Sequence, residues 1–249
     1  YLYLGNSFKK SKKINLNTFH SLLKTEYKAG FEYSDCIVDD SRLVILNARD
    51  AFLKGATMMN YSKVSGVRKK NNLWEVDIQR RKNSKINKLT ILTKTIVNCS
   101  GPWLNNSSEN IFDKFHILKT TRLVKGSHIV VPKLYQEDKA FIFQNIDRRI
   151  IFFIPYQNNY TLIGTTDIEF KGSPEDAKIT SQEIKYLFNL VFLYFKTTLS
   201  KKDIVWTFSG VRSLYDDKSE LAQKITRDYV IESQSKENET LINIFGGKL

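Results

Sequence analysis

Cysteine is nearly missing: Cys36 and Cys99 are the only two in 249 residues, and histidine occurs three times. That scarcity excludes a disulfide framework and a multi-cysteine zinc site, and it argues against a histidine-built metal centre. A reducing compartment is the expected setting. No apolar run approaches the roughly 20 residues that a spanning helix needs. The first thirty residues set Lys among polar groups where a secretory signal would carry an apolar stretch, so the chain is expected to be soluble or peripheral. Short motifs with a fixed mechanical meaning are absent too. Without GxGxxG, GxxxxGK[ST], HExxH or GxSxG, no phosphate loop, helix-borne zinc pair or nucleophile elbow can be placed.

What is present is a core-forming composition with surplus positive charge. With 41% hydrophobic and 26% charged residues, the chain can build one large domain or two smaller ones. Lys and Arg number 39 against 26 Asp and Glu, a net charge of +13. That balance is compatible with nucleic acid, an anionic membrane face or an anionic substrate, and does not choose among them. No basic cluster is interleaved with stacking aromatics as a nucleic-acid groove requires, so the surplus reads as a solvated face.

Hydrophobic spacing and turn residues give a coarse architecture. Residues 1–29 are loosely specified. Phe31–Ser34 is β-prone; Asp39 and Asp40 are good helix caps before Ser41–Lys54, and Gly55 can end that helix in a left-handed conformation. Ala56–Met59 then reads as a short strand, giving the strand–helix–strand grammar of an α/β layer. Val64–Arg68 and Leu73–Gln79 flank the polar turn Lys69–Asn72 and read as a hairpin, and Thr90–Asn98 is a β-branched strand halted by Cys99-Ser100-Gly101-Pro102. An antiparallel sheet is expected from Leu123–Val131, Ala140–Gln144, Ile150–Pro155 and Tyr160–Gly164. An apolar helix follows over Ser181–Leu199, then strands at Val205–Phe208, Tyr229–Glu232 and Leu241–Phe245, with Ser233–Thr240 as a polar loop.

The chemistry is expected at four turns that set small residues beside charged or hydroxyl groups: Lys125–His128, Gly164–Asp167, Ser209–Arg212 and Gly246–Lys248. Lys125, Arg212 and Lys248, with nearby hydroxyls and one imidazole, form the set expected to bind a small phosphorylated alcohol. Each residue also has a plainer reading. His128 in a strand reads as a core or edge histidine, Arg212 as a surface ion pair, Lys248 as a solvated lysine, and Thr165 and Thr166 as β-formers.

Those turns, in order, carry a family resemblance. Gly30-Phe31-Glu32-Tyr33-Ser34-Asp35-Cys36 with Val38-Asp39-Asp40 and Arg42-Leu43-Val44 opens it, and Asn98-Cys99-Ser100-Gly101-Pro102-Trp103 follows. Then come Arg122–Pro132 (R-L-x-K-G-S-H-I-V-V-P), Ile163–Asp167 (I-G-T-T-D), Ile204–Thr207 with Ser209–Arg212, Ile225–Tyr229 and Phe245–Leu249. From about Phe31 onward the chain resembles the FAD-dependent, quinone-linked glycerol-3-phosphate dehydrogenases. The resemblance implies an α/β (α+β) fold: part of a Rossmann-like FAD-binding domain interrupted by an antiparallel substrate domain, as in D-amino-acid oxidase. It implies residues 1–104 and 206–249 in the FAD-binding domain and 105–205 in the substrate domain.

The resemblance also implies FAD as cofactor and oxidation of sn-glycerol 3-phosphate to dihydroxyacetone phosphate. It further implies quinone as acceptor, a peripheral place on the cytoplasmic membrane, a homodimer and no nucleic acid. Val64 is placed near the adenine, Ser100 and Gly101 near the cofactor, and Gly246, Gly247, Lys248 and Leu249 beside the flavin. Arg212 and Lys248 are expected to hold and polarise the substrate, His128 to take the hydroxyl proton, and Thr165 and Thr166 to orient the substrate. The family's GxGxxG element would lie upstream and a helix would follow Leu249, so the chain is expected to be an excerpt. An inactive remnant of that enzyme, or a basic binding module, are the rival readings. Ser213 stands where the family usually has Pro, and Ser100 where Thr is common.

Overall fold

The structure, a computed structural model, describes residues 9–19, 21–104, 121–216, 228–236 and 239–247. The chain divides into two compact units, Tyr1–Asn60 with Leu190–Thr198, and Tyr61–Asn189 with Leu199–Leu249.

In the first unit, β1 (Lys12–Asn15) pairs antiparallel with β2 (Ala29–Glu32), Ile14 facing Gly30. Helix α1 (Asp40–Leu53) starts as its sequence directs: the Asp39 carboxylate accepts from the Arg42 N–H at 3.0 Å. Gly55, at φ +95°, ends it. The strand expected at Ala56–Met59 does not form; the segment is irregular and leads through Tyr61, at φ +53°. No residue of α1 is buried, and Val44, Ile45, Phe52 and Leu53 are exposed. The buried centre of this unit includes Leu23, bridged to Phe195, with the Lys24 N–H donating to the Tyr194 carbonyl at 3.0 Å.

The second unit holds three sheets. β3 (Ser62–Lys70), β4 (Leu73–Lys82) and β5 (Lys85–Thr93) form a meander. Its two turns place Asn71 and Asn72, then Asn83 and Ser84, at positive φ, the conformation whose twist suits a two-residue hairpin. The strand expected over Thr90–Asn98 is broken at Lys94. Thr93 hydrogen-bonds locally to Thr95, and β6 (Thr95–Asn98) leaves for a different sheet.

The largest sheet has β7 (Thr121–Pro132) at its heart. β8 (Phe141–Gln144), β9 (Ile150–Tyr156) and β10 (Tyr160–Gly164) extend it on one side. The short β11 (Ile168–Glu169) joins β7 on that same edge, and β12 (Trp206–Tyr215) pairs along the other edge from Thr121 to Val130. Ile129, Val131, Ile151, Phe153 and Ile163 are fully buried in it. Helix α2 spans Ser181–Tyr194, shorter than the expected Ser181–Leu199 because the backbone from Tyr194 to Lys196 turns to bond with Leu22 and Lys24.

In the third sheet, β13 (Tyr229–Lys236) pairs antiparallel with β14 (Glu239–Gly246), which runs parallel to β6. The polar loop expected at Ser233–Thr240 is therefore mostly strand: Ser233 faces Ile242 and Ser235 faces Thr240. Polar residues are ordinary on a sheet face turned to water. Trp74 ties the meander to this sheet, donating from Nε1 to the Thr240 carbonyl at 3.1 Å while 2% exposed, and Lys69 pairs with Glu239 beside it. Replacing Trp74 by Ala removes both the packing and the bond, so Trp74→Ala is expected to cost about 3–5 kcal/mol in denaturant unfolding.

Candidate active site

Side chains alternate along β7. Lys125, Ser127, Ile129 and Val131 lie on one face and are buried; Gly126 and His128 lie on the other. β12 sets Phe208 opposite His128, Gly210 opposite Gly126 and Arg212 opposite Val124, so Arg212 and His128 share a face. On the other edge β10 ends with Gly164 opposite His128 and β11 begins with Ile168 opposite Lys125. Thr165, Thr166 and Asp167 fill the gap between those two strands.

Two of the four expected turns are thus strand interiors, Lys125–His128 in β7 and Ser209–Arg212 in β12, paired with each other. Arg212 sits mid-strand, so Ser213 in place of a proline continues the strand and loosens no turn. Glycine within a strand marks a close approach. A Cβ on Gly126 would overlap the Arg212 guanidinium and the Thr165 hydroxyl, and one on Gly164 would overlap the His128 ring.

Through the space left at Gly126, Arg212 reaches across β7. Its Nη2 lies 2.7 Å from Asp167 Oδ1 and 3.4 Å from both the Thr165 hydroxyl and the Thr166 carbonyl. The side chain remains 22% exposed. His128 stacks on Phe208, with centroids 4.7 Å apart and planes 9° from parallel. Burial, and secondarily the Arg212 charge, push its pKa from 6.5 down to about 4, so the imidazole is neutral at neutral pH. Its buried Nδ1 has no hydrogen-bond partner among the described residues.

The opposite face of β7 holds a residue that the sequence reading missed. Glu183, in the first turn of α2, is 2% exposed and accepts from Lys125 Nζ at 2.8 Å, Ser127 Oγ at 2.8 Å, Thr166 Oγ1 at 2.8 Å and the Thr180 N–H at 2.8 Å. Burial raises its pKa, but these donors, Lys125 foremost, outweigh it and bring the carboxyl to about 2. The only signal in the sequence is Thr180-x-x-Glu183, which reads as a helix capping box and does form one, the Glu183 N–H donating to Thr180 Oγ1 at 3.2 Å. Lys125, expected to help hold a phosphate, is instead committed to this buried ion pair and to the Lys178 carbonyl at 2.7 Å.

A second cluster forms where β6 and β14 end side by side. Asn98 and Asn243 face each other across the parallel pair and are joined at 3.1 Å. Three residues beyond each stand Gly101 and Gly246, at φ +56° and +69°, with Gly247 at +83°. Ser100 donates its hydroxyl to Asn98 Oδ1 at 2.7 Å. Open α/β sheets bind ligands outside the carboxyl ends of parallel strands, so Ser100, Gly101, Gly246 and Gly247 are gathered where a nucleotide cofactor would be expected. Tyr215, which ends β12 three residues after Arg212, lies against Gly246. Val64 lies in β3 of the meander, opposite Ile78 and beside a bulge. Lys248, Leu249 and the Ile225–Arg227 part of the family string lie outside the described residues.

Residues 13–246 match the family described as FAD dependent oxidoreductase. The chain belongs to that family. It is 43% identical over 233 residues to the aerobic glycerol-3-phosphate dehydrogenase of Escherichia coli (strain K12), covering 92% of this chain and 46% of that protein. It is 42% identical over 224 residues to the D-erythritol 1-phosphate dehydrogenase of Brucella abortus (strain 2308), covering 90% of this chain and 44% of that protein. Among solved structures, the glycerol-3-phosphate dehydrogenase from Bacillus halodurans complexed with FAD superposes with a TM-score of 0.73 at 26% identity, over 96% of this chain and 48% of that one. The chain thus spans about half the length of the relatives it matches.

FAD is the cofactor of this oxidoreductase family, and residues of this chain fit it. A Cβ on Gly246 would come 2.8 Å from the Asp228 carbonyl, whereas one on Gly101 would meet nothing within 4 Å, leaving open backbone at the strand end. Beside it the buried Asn243 Nδ2 has no hydrogen-bond partner among the described residues.

Two outcomes follow from this geometry. Gly126→Ala should displace the flexible end of Arg212 from Asp167 and leave the sheet intact, so the melting temperature should change by no more than the loss of a part-exposed ion pair, about 1 kcal/mol or less; a melting scan checks it. For Glu183 the folded pKa lies below the ordinary 4.5. Its contribution is therefore complete above about 4.5 and lost as pH falls toward 2. Glu183→Ala should cost about 3–5 kcal/mol at neutral pH by stranding Lys125, and denaturant unfolding across pH reads both effects.

Proposed function

We propose that this chain forms part of an FAD-dependent dehydrogenase that oxidises sn-glycerol 3-phosphate to dihydroxyacetone phosphate, with quinone as the final acceptor at a membrane surface. The observation that carries the reading is Arg212 and neutral His128 on one face of the same sheet, brought together by Gly126 and Gly164. The similarity to glycerol-3-phosphate dehydrogenases over nearly the whole chain supports it. The net charge of +13 suits both an anionic substrate and an anionic membrane face. No helix among the described residues is long and apolar enough to cross a membrane.

Oxidising a secondary alcohol removes a hydride from the carbon and a proton from the hydroxyl. FAD, when bound, supplies the two-electron acceptor, and Ser100, Gly101, Gly246 and Gly247 are the described residues that would hold it. Val64, Lys248 and Leu249 complete the cofactor contacts in this reading. Arg212, fixed by Asp167 on one edge of its guanidinium, has further N–H donors for the substrate phosphate. Thr165 stands beside it to orient the polyol, whereas Thr166, expected to share that role, is 1% exposed and spends its hydroxyl on Glu183 on the opposite face. Lys248 is assigned the polarising role. His128 takes the hydroxyl proton; burial keeps it uncharged and ready to accept.

Steady-state kinetics on the FAD-loaded protein test this. Arg212→Ala should raise KM for glycerol 3-phosphate by about 100-fold, as expected when a charge-assisted phosphate contact is lost. His128→Asn should lower kcat by about 10²–10⁴. Because His128 is neutral down to about pH 4, an inflection of kcat/KM at about pH 6 should belong to the second ionisation of the substrate phosphate and persist in His128→Asn, and any loss from His128 protonation should appear only near pH 4. Near-normal kcat/KM in both variants would sink the proposal. A higher kcat/KM for D-erythritol 1-phosphate than for glycerol 3-phosphate would move the substrate to a longer polyol phosphate.

A further inference from the structure

Thr166 is held from both faces of the sheet at once. On the closed face its hydroxyl donates to Glu183 Oε1 at 2.8 Å and accepts from the Ser127 N–H at 2.9 Å. On the open face its carbonyl lies 3.4 Å from Arg212 Nη2 and accepts from Thr165 Oγ1 at 2.9 Å. The next residue, Asp167, is the ion-pair partner of Arg212. Among the described residues, Thr165 to Asp167 have no strand pairing beyond the Thr166 N–H to Ser127 carbonyl bond at 3.2 Å. The conformation of this three-residue segment therefore depends on its side-chain bonds.

From this arrangement we infer that Glu183 is a positioning residue for anion binding. It fixes Thr166, and through Thr165 and Asp167 it fixes the guanidinium of Arg212, without touching the substrate itself. The carboxylate is suited to the task because it collects several donors in one place. Ser127 bridges it to Ser209 on β12, hydroxyl to hydroxyl at 2.8 Å. Glu183 thus ties the strand that carries Arg212, the strand that carries His128 and the segment that carries Asp167 to the start of one helix. Lys125 neutralises the charge that this requires in a buried place. For its substrate the inference rests on the proposed function; for the anion it does not.

The test separates positioning from stability by removing the buried charge pair in two ways. Lys125→Met with Glu183→Ala deletes the acceptor for Thr166 without stranding the ammonium. Lys125→Met with Glu183→Gln keeps an amide oxygen that can accept from Thr166 and Ser127. Both are made in the protein as its gene encodes it, loaded with FAD. The readouts are melting temperature, flavin content, kcat and KM for glycerol 3-phosphate, and the affinity for inorganic phosphate by calorimetry.

The Ala pair should keep its flavin, raise KM about ten-fold or more and weaken phosphate by the same factor, with kcat changed less; one charge-assisted hydrogen bond is worth that much. The Gln pair should recover most of both values at a similar melting temperature. Parental KM and phosphate affinity in the Ala pair, or no recovery in the Gln pair, would overturn the inference. If the Ala pair does not fold, Thr166→Val breaks the same link at its other end: the same loss of affinity, recovered by Thr166→Ser, supports the inference, and parental affinity overturns it. A parent protein that binds phosphate without oxidising glycerol 3-phosphate refutes the proposed function alone, and phosphate affinity still decides the role of Glu183. A parent that binds no phosphate overturns both.

Discussion

A carboxylate buried to 2% exposure is tolerated only if nearly every lone pair is used, and Glu183 meets that condition. The consequences spread outward from it. Lys125 must sit beneath the sheet and not on the side where Arg212 lies, because the pair is far costlier to leave half-made than to omit. Ser127 must be small and hydroxylated, because it donates to Glu183 and meets Ser209 in the same place. Thr166 must interrupt the strand edge, because its hydroxyl is needed on one face and its carbonyl on the other. One ionised group at a helix start therefore sets which residues β7, β12 and the segment between β10 and β11 can carry.

The open face obeys a different constraint, that of space. Arg212 belongs to one neighbour of β7 and Asp167 to the segment on its other side, so the guanidinium must pass over β7 itself. Any side chain at position 126 would stand in its way. The His128 ring likewise lies across the Cβ position of Gly164, and Phe208 closes over it from the opposite strand. Two glycines that weaken a sheet in general thus decide how closely a cation and a neutral imidazole can approach one another here.

Much of the architecture could be read from sequence because its periodicities are strong. The four antiparallel strands from Leu123 to Gly164, the first hairpin turn and the Asp39 cap all rest on local patterns that tertiary packing reinforces. The misses share a cause. Small residues signal turns when only neighbours are considered, so Lys125–His128 and Ser209–Arg212 looked like turns although each is the middle of a strand facing the other. Thr90–Asn98 looked continuous because nothing local marks Lys94 as the point where the chain changes sheets. Arg212, His128, Thr165 and Thr166 stand out in the sequence because small residues flank polar ones there, and the structure sets Arg212, His128 and Thr165 on one face of the sheet while the Thr166 hydroxyl turns to the other. Glu183 escaped notice because Thr180-x-x-Glu183 already has a complete local explanation as a capping box, while its four-way role depends on residues up to 58 positions away.

The proximity of Arg212 and His128 has a further physical implication for the proposed reaction. The guanidinium charge adds to burial in depressing the basicity of the imidazole, which keeps it unprotonated but also makes it a weak base. A phosphate dianion arriving at Arg212 would cancel much of that positive field, and the same low-dielectric surroundings that make the field strong would make its cancellation count. His128 would then be most basic when the substrate is seated and least basic when the site is empty. The ion pair with Asp167 alone does not achieve this, since the imidazole is already depressed with that pair in place. A base strengthened by the charge of its own substrate places the larger share of catalytic driving force in the bound complex, where it lowers the barrier.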